Sequence, residues 1–231
     1  MFEPIIIHND EKVLTVDLHQ KLLLYEIKAS DQIPPPEVAL KIDNAIIGTL
    51  GNILSIIGKA KSRKSFFIGM AISASVAKEN VISVLTNELP QSQRNVLYFD
   101  TEQGKYHVQK ALKRICTITG VSEPTNLNTY GLRALNPIER AELIEYAIYN
   151  TPNLGIVFID GIKDLITSIN DEEQATMIVS KLMKWSEEKN ILIVTVLHQN
   201  KGDNNARGHI GTELNNKAET VLSVSKSSDN E

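Results

Sequence analysis

From Ile46 onward the chain alternates short apolar, β-branched runs with longer segments whose apolar residues recur at helical spacing. "NILSIIG" reads as a buried strand, the polar loop "KAKSRK" follows, and "SFFIGMAISASVAKEN" places Phe67, Ala71, Ile72 and Ala74 to Val76 on one helical face. The same alternation then repeats. "NVLYF" predicts a second strand, followed by a helix around residues 108–119, and "LNTYGL" a third. The helix after it, "NPIERAELIEYAIYN", starts with Asn136 as N-cap and Pro137 at its first position. "GIVFID" and a helix from about Glu172 to Lys189 come next, then "ILIVTVLHQ", whose unbroken apolar run suits a strand covered on both faces. "ETVLSVSK" alternates as a strand near a sheet edge. Strands alternating with helices predict an α/β fold with a mainly parallel, twisted sheet flanked by helices and joined by right-handed crossovers.

Residues 1–43 lack this regularity. A mixed apolar stretch, "VLTVDLHQKLLLYEI", leads to "IPPPEV", and three consecutive prolines suit an extended connector. Residues 1–43 therefore read as an arm or linker and 44–231 as the main domain, which stops at "SSDNE" just after a strand, as a domain cut from a longer chain does.

Composition narrows the classes. The 231 residues are 42% hydrophobic and 23% charged, with net charge -4, so no global basic field marks the chain for nucleic acid or an anionic membrane. Any nucleic-acid contact must be local. The single cysteine, Cys116, excludes an intramolecular disulfide and a cysteine-based zinc cluster, and it reads as a buried bystander on the apolar side of its helix. The N-terminal stretch has no basic flank before its apolar run, and residues 44–58 are too short and glycine-rich to span a bilayer. A cytoplasmic protein without a membrane segment is expected.

Ligands on parallel α/β sheets bind beyond the carboxyl ends of the strands, where the polar clusters of this chain fall. The first is Gly58, Lys59, Ala60, Lys61, Ser62, Arg63, Lys64 and Ser65, one residue away from a phosphate-binding loop, since Arg63 stands where that motif has glycine. Between a buried strand and a helix N-terminus, such a loop offers unpaired amides and the positive end of the helix dipole. Lys64 is placed to reach β- and γ-phosphates, Ser65 to ligate Mg2+, and Gly58 to make the tight turn. A Cβ at position 63 costs about 1–2 kcal/mol if φ is positive, so the backbone there is expected to differ from the usual loop. A basic surface turn is the plain alternative.

Such a loop calls for a carboxylate at another strand end to support Mg2+, and Asp160 closes "GIVFID". Glu102, just past "NVLYFD", is placed to act as general base on water, or is only a solvated acidic turn; Asp100 reads as a structural strand-end residue. His198 and Gln199 end the fifth strand where they can sense a terminal phosphate, or form an ordinary surface turn. No spacing supports a zinc site, and no nucleophile elbow is present.

The order of these pieces, ending in "ARGHIGTELNNKAETVLSVSK", resembles the RecA-like P-loop ATPase core over residues 46–226. Similarity is greatest to hexameric replicative helicases of the DnaB and plasmid RepA types and to AAA ATPases of mobile elements. The resemblance implies ATP and Mg2+ as cofactors, Lys64 and Ser65 as the loop pair, Glu102 as catalytic glutamate, Asp160 as Mg2+ support, and His198 with Gln199 as phosphate sensor. It also implies a ring, hexameric in that group, with single-stranded DNA read by residues 161–171 and 200–211, the second segment carrying Lys201 and Arg207. A cation reaching into the neighbouring subunit falls at Lys226, with Arg207 as second candidate, and primase or mobile-element replication proteins are implied as partners. Arg63 and a lysine in place of the usual finger arginine are the two departures, and slow hydrolysis by the isolated subunit is expected.

Three functions follow: a DNA-dependent ATPase motor; a recombination or regulatory ATPase that does not unwind; and a scaffold that has lost catalysis through Arg63.

Overall fold

A computed structural model describes residues 6–7, 14–15, 18–77, 79–200 and 205–226. The chain divides into a unit of Met1–Pro35 and a unit of Pro36–Glu231. In the first, β1 (Ile6–Ile7) pairs antiparallel with β2 (Leu14–Thr15), and α1 (Leu18–Leu23) buries none of its residues.

The second unit begins eight residues before the boundary expected at Asn44. β3 (Val38–Ile42) and β4 (Ala45–Thr49) form a hairpin, and β6 (Leu85–Asn87) pairs along the other side of β3. Asp43 sits at the turn with φ 50, a left-handed conformation that Asp and Asn tolerate in two-residue hairpins. "IDNA" between apolar residues was therefore a readable hairpin signal. Leu40 and Leu50, 0% and 1% exposed, tie this small sheet to the core.

The main sheet has six strands in the order β11-β5-β10-β9-β7-β8, and every neighbouring pair is parallel. β5 (Ile53–Gly58), β7 (Asn95–Asp100), β8 (Leu127–Gly131), β9 (Leu154–Asp160), β10 (Leu192–His198) and β11 (Thr220–Ser223) match the predicted strands, with β11 at an edge as expected. Helices cover both faces, as in a P-loop nucleotide-binding fold. α2 (Lys64–Val76) and α3 (Lys105–Thr119) lie on one face; α4 (Pro137–Asn150), α5 (Glu172–Lys189) and α6 (Gly208–Lys217) lie on the other. The unbroken apolar runs are explained by alternation: in β9, Val157 and Ile159 join the core under α4 to α6, while Ile156 and Phe158 join the core under α2 and α3.

Local signals decide the helix ends. Asn136 accepts the Glu139 amide at 3.0 Å while the Glu139 carboxylate accepts the Asn136 amide at 2.9 Å, a complete capping box behind Pro137. α5 spans the predicted residues and starts on an Asp171 cap that accepts from the Gln174 amide. α2 stops at Val76, short of the predicted end, and Ala77 is extended. On α3 the fully buried position is Ile115, and Cys116 next to it is only half-buried, so the expected buried cysteine sits at the rim of the core.

α6 was not expected, because residues 200–211 read as a glycine-rich loop. Ile210 and Leu214 are both 0% exposed and pull the segment into the core, and Gly211 lets its backbone approach Ala206, where a Cβ would lie 2.6 Å from the Ala206 carbonyl carbon. Tertiary packing here outweighs low helix propensity. Among the described residues, no helix is long and apolar enough to cross a membrane.

Gly155 gives a direct check on the sheet. A Cβ there would stand 2.1 Å from the Gln93 carbonyl oxygen. Gly155→Ala is expected to lower stability by about 1–3 kcal/mol, read as a fall in urea midpoint at unchanged m-value, and an unchanged midpoint refutes this packing.

Candidate active site at the carboxyl ends of the parallel strands

The parallel register aligns the strand ends. His198 of β10 is level with Gly58 of β5, Val196 of β10 with Asp160 of β9, and Asp160 with Asp100 of β7. Four loops therefore converge on one cleft of about 220 Å³, lined among others by Lys61, Lys64, Ser65, Glu102, Asp160 and His198.

The loop after β5 supplies its cationic wall. Gly58 permits a close approach, since a Cβ would meet the Val224 carbonyl oxygen at 2.5 Å and the Ser62 hydroxyl at 2.6 Å. Lys61 and Arg63 both take left-handed backbone, with φ of 65 and 72. The loop thus keeps a glycine-like conformation at Arg63 and carries the Cβ as strain, rather than differing in backbone as the sequence suggested. Arg63 is also the N-cap of α2 and makes no side-chain cap, so the first-turn amides lack a protein side-chain cap from that residue.

Lys64 is buried and turned back over the loop. Its ammonium donates to the Gly58 carbonyl at 2.8 Å and to the Lys59 carbonyl at 2.9 Å, and lies 3.1 Å from His198 Nδ1. Desolvation holds its pKa below the ordinary lysine value, against the opposing charges of Asp160 and Glu102. An ammonium donating to Nδ1 leaves the imidazole proton on Nε2, which faces Glu102 Oε1 at 3.7 Å. Burial, then the charge of Lys64, pushes the His198 pKa down, which keeps the ring neutral.

Glu102 is positioned from below. Asp100 is fully buried; its Oδ1 accepts the amides of Glu102 at 3.1 Å and Gln103 at 2.7 Å, and its Oδ2 accepts the Tyr98 hydroxyl at 3.2 Å. The strand-end aspartate is structural, as read, and it shapes the turn that carries Glu102. Gly161, with φ 103, fits under this turn, where a Cβ would fall 2.3 Å from Thr101 Oγ1.

Asp160 has the most perturbed carboxyl. Burial, then the Asp100 charge, pushes it up to about 7, with the Ser65 side chain and the Lys64 charge pulling the other way. Its Oδ2 is buried without a hydrogen-bond partner. An orphaned carboxylate oxygen beside a serine hydroxyl, under a cleft rich in cations for phosphate, fits Mg2+ held by Ser65, Asp160 and ligand oxygens. Among the described residues no group of three His, Cys, Asp or Glu could hold a metal ion.

The remaining predicted residues fall as follows. Ser62 and Arg63 line the cleft; Gly58, Lys59 and Ala60 do not, although the Gly58 and Lys59 carbonyls accept from Lys64, and Lys59 and Ala60 are exposed. Gln199 is turned aside: its side-chain amide donates to Ser223 Oγ at 3.3 Å and it does not line the cleft. Lys226 is exposed in a separate hollow of about 210 Å³ shared with Ser62, Arg63, Phe66 and Met70. Arg207 is exposed at the start of α6, its amide donating to the His198 carbonyl at 3.0 Å, and is not a cleft residue. Lys201 lies outside the described residues. Sequence reasoning missed Lys163, which lines the cleft from a short 3-10 turn at Ile162–Leu165, and Thr101, whose hydroxyl lies 2.9–3.0 Å from the carbonyls of Asp160 and Gly161 and from Asp164. The strand-end position of "IDGIKDL" is the local signal that puts Lys163 near the cleft, whereas the helicase resemblance gave its segment, residues 161–171, to DNA.

Fold and cleft together define a P-loop nucleotide-binding α/β domain. The chain belongs to the AAA domain family, whose model matches residues 20–204, and that membership identifies it as an ATPase domain of the P-loop type. A search of curated proteins finds no match.

Two outcomes test this geometry. Arg63→Gly removes a left-handed Cβ worth about 1–2 kcal/mol and adds unfolded-state entropy worth about 0.4–1 kcal/mol, so denaturant titration is expected to show a net gain of roughly 0.5–1 kcal/mol. The second concerns pH. Because the Asp160 pKa is raised on folding, the native state holds a proton that the unfolded state has lost, and the contribution of this carboxyl to stability falls as pH rises from about 4 to about 7. Asp160→Asn is therefore expected to be more stable than wild type near pH 7.5 without Mg2+, by on the order of a few kcal/mol, and level with it near pH 4. A gain that does not vary with pH contradicts the buried, protonated carboxyl.

Proposed function

We propose that this chain binds Mg2+·ATP in the strand-end cleft, hydrolyses it, and couples hydrolysis to movement along single-stranded DNA in a ring of copies, hexameric as in DnaB-type and RepA-type helicases. The observation that carries the reading is the convergence of Lys64, Ser65, Glu102, Asp160 and His198, at or just past the carboxyl ends of four strands, on one cleft.

In this reading the triphosphate lies along the loop and the N-terminus of α2, where amides and helix dipole favour anionic oxygens. Lys64 exchanges its loop carbonyls for β- and γ-phosphate oxygens. Ser65 and Asp160 would hold Mg2+, which would supply charge neutralisation to the phosphates. Glu102 accepts a proton from water as the water oxygen bonds to the γ-phosphorus, and the bond to the β,γ-bridging oxygen breaks, releasing ADP and phosphate. His198 touches both Lys64 and Glu102, which suits a sensor of the terminal phosphate. The hollow containing Lys226 shares Ser62 and Arg63 with the cleft, and its Phe66 ring carries the Arg114 guanidinium 5.4 Å above its centroid. That placement keeps exposed Lys226 as the candidate cation for a neighbouring copy, with exposed Arg207 as the second.

Support for a DNA-facing surface comes from the two segments implicated by the helicase resemblance. They meet: the His209 amide donates to the Ile169 carbonyl at 3.1 Å, and Arg207 stands exposed beside the contact. A partly buried 3-10 turn in the first segment, with Ile162 and Leu165 in the core, connects that surface directly to Asp160 and Gly161. Movement of one segment would therefore be felt in the cleft.

ATP turnover with and without single-stranded DNA tests the reading, alongside strand displacement on a forked substrate. Lys64→Ala is expected to abolish ATP binding, and Glu102→Gln to keep binding while losing about 100-fold or more in turnover. Undiminished turnover in either variant sinks the assignment, and turnover without strand displacement leaves an ATPase that is not an unwinding motor.

A further inference from the structure

We propose that Lys163 is a second phosphate cation supplied within the same subunit, which binds the terminal phosphate opposite Lys64 and, in doing so, releases Glu102 to act as base. The inference rests on the ATP reading above and adds a residue outside the motifs that led to it.

Four side chains run across the cleft in contact. Lys64 Nζ is 3.1 Å from His198 Nδ1, His198 Nε2 is 3.7 Å from Glu102 Oε1, and Lys163 Nζ is 3.4 Å from the same Glu102 oxygen. A lysine thus stands at each end of the row, with the candidate base and sensor between them. Lys163 Nζ also lies 3.9 Å from Asp164 Oδ1.

The backbone under Lys163 is held firmly. Ile162 and Leu165 on either side are buried, the Asp164 amide donates to the Gly161 carbonyl at 2.9 Å, and Arg140 donates to the carbonyls of Asp164 at 2.8 Å, Arg133 at 2.9 Å and Leu132 at 3.2 Å. The side chain is different: at 35% exposure it can swing between Glu102 and a ligand while its root stays fixed.

Charge favours that exchange. An ion pair this exposed contributes only about 0.2–1 kcal/mol, whereas a terminal phosphate presents several anionic oxygens to the ammonium. The cleft sets Lys61, Arg63, Lys64 and Lys163 against Glu102 and Asp160, an excess of cations that suits a magnesium-bound triphosphate. A carboxylate engaged with an ammonium is not free to take a proton from water. ATP draws Lys163 away from Glu102; ADP, which lacks the γ-phosphate, leaves the pair intact. The base is thereby freed preferentially when there is a phosphoryl group to transfer, without help from a neighbouring copy.

Calorimetry of the full chain with Mg2+ and either ADP or a non-hydrolysable imido analogue of ATP tests this in wild type, Lys163→Ala, Lys163→Gln and Lys163→Arg. Loss of a charge-assisted phosphate contact is expected to weaken the triphosphate analogue about tenfold or more in the Ala and Gln variants, with ADP changed by less than about twofold and most of the loss recovered in Lys163→Arg. Equal weakening of both ligands, or of neither, overturns the inference while the ATP assignment stands. Failure of the wild-type chain to bind either nucleotide removes the ATP assignment and this inference with it.

Discussion

The register of the parallel sheet is the constraint on which the site depends. With Gly58 level with His198, Val196 level with Asp160, and Asp160 level with Asp100, the loops that follow these strands have no choice but to meet. A slip of one residue in any pair would reverse which side chains face each helical layer and would carry the polar strand ends out of line. Register is in turn held by the alternating burial of β9 and β10, whose side chains fill two separate cores. Packing that appears remote from the chemistry therefore sets its geometry.

Electrostatics inside that geometry are deliberately unbalanced. Asp100 and Asp160 are both buried, the charge of Asp100 helps raise the Asp160 pKa, and only Asp100 has a full set of donors. Asp160 keeps an unsatisfied oxygen and a raised pKa, a cost that a divalent cation would relieve. Lys64 carries the complementary cost, a buried ammonium with a lowered pKa, satisfied by two loop carbonyls and an imidazole. Each group carries a desolvation cost that a metal-bound polyphosphate would relieve. Left-handed backbone at Lys61 and Arg63 adds conformational strain at the same place.

Much of the architecture was legible in the chain. Apolar runs bounded by polar loops identified all six strands of the main sheet, and the Asn136-Pro137 start and Asp171 cap located two helices closely. What escaped depends on distant partners. The β3–β4 hairpin is the exception, its Asp43-Asn44 turn being a local signal that the proline run at 34–36 masked as part of a linker. α6 was hidden because its glycines signal a loop unless Ile210 and Leu214 are known to meet the core.

Identity and order of the candidate residues were set by sequence: a lysine-serine pair after the first buried strand, carboxylates after the second and fourth, and a histidine after the fifth. Only the tertiary structure decided which of them share a cleft. It turned Gln199 toward Ser223, set Lys226 in a neighbouring hollow, and brought in Lys163, which no spacing rule selects. The reason is physical. Local sequence specifies conformation through dihedral preference and hydrophobic period, whereas the direction a strand-end side chain takes is settled by contacts with residues tens of positions away.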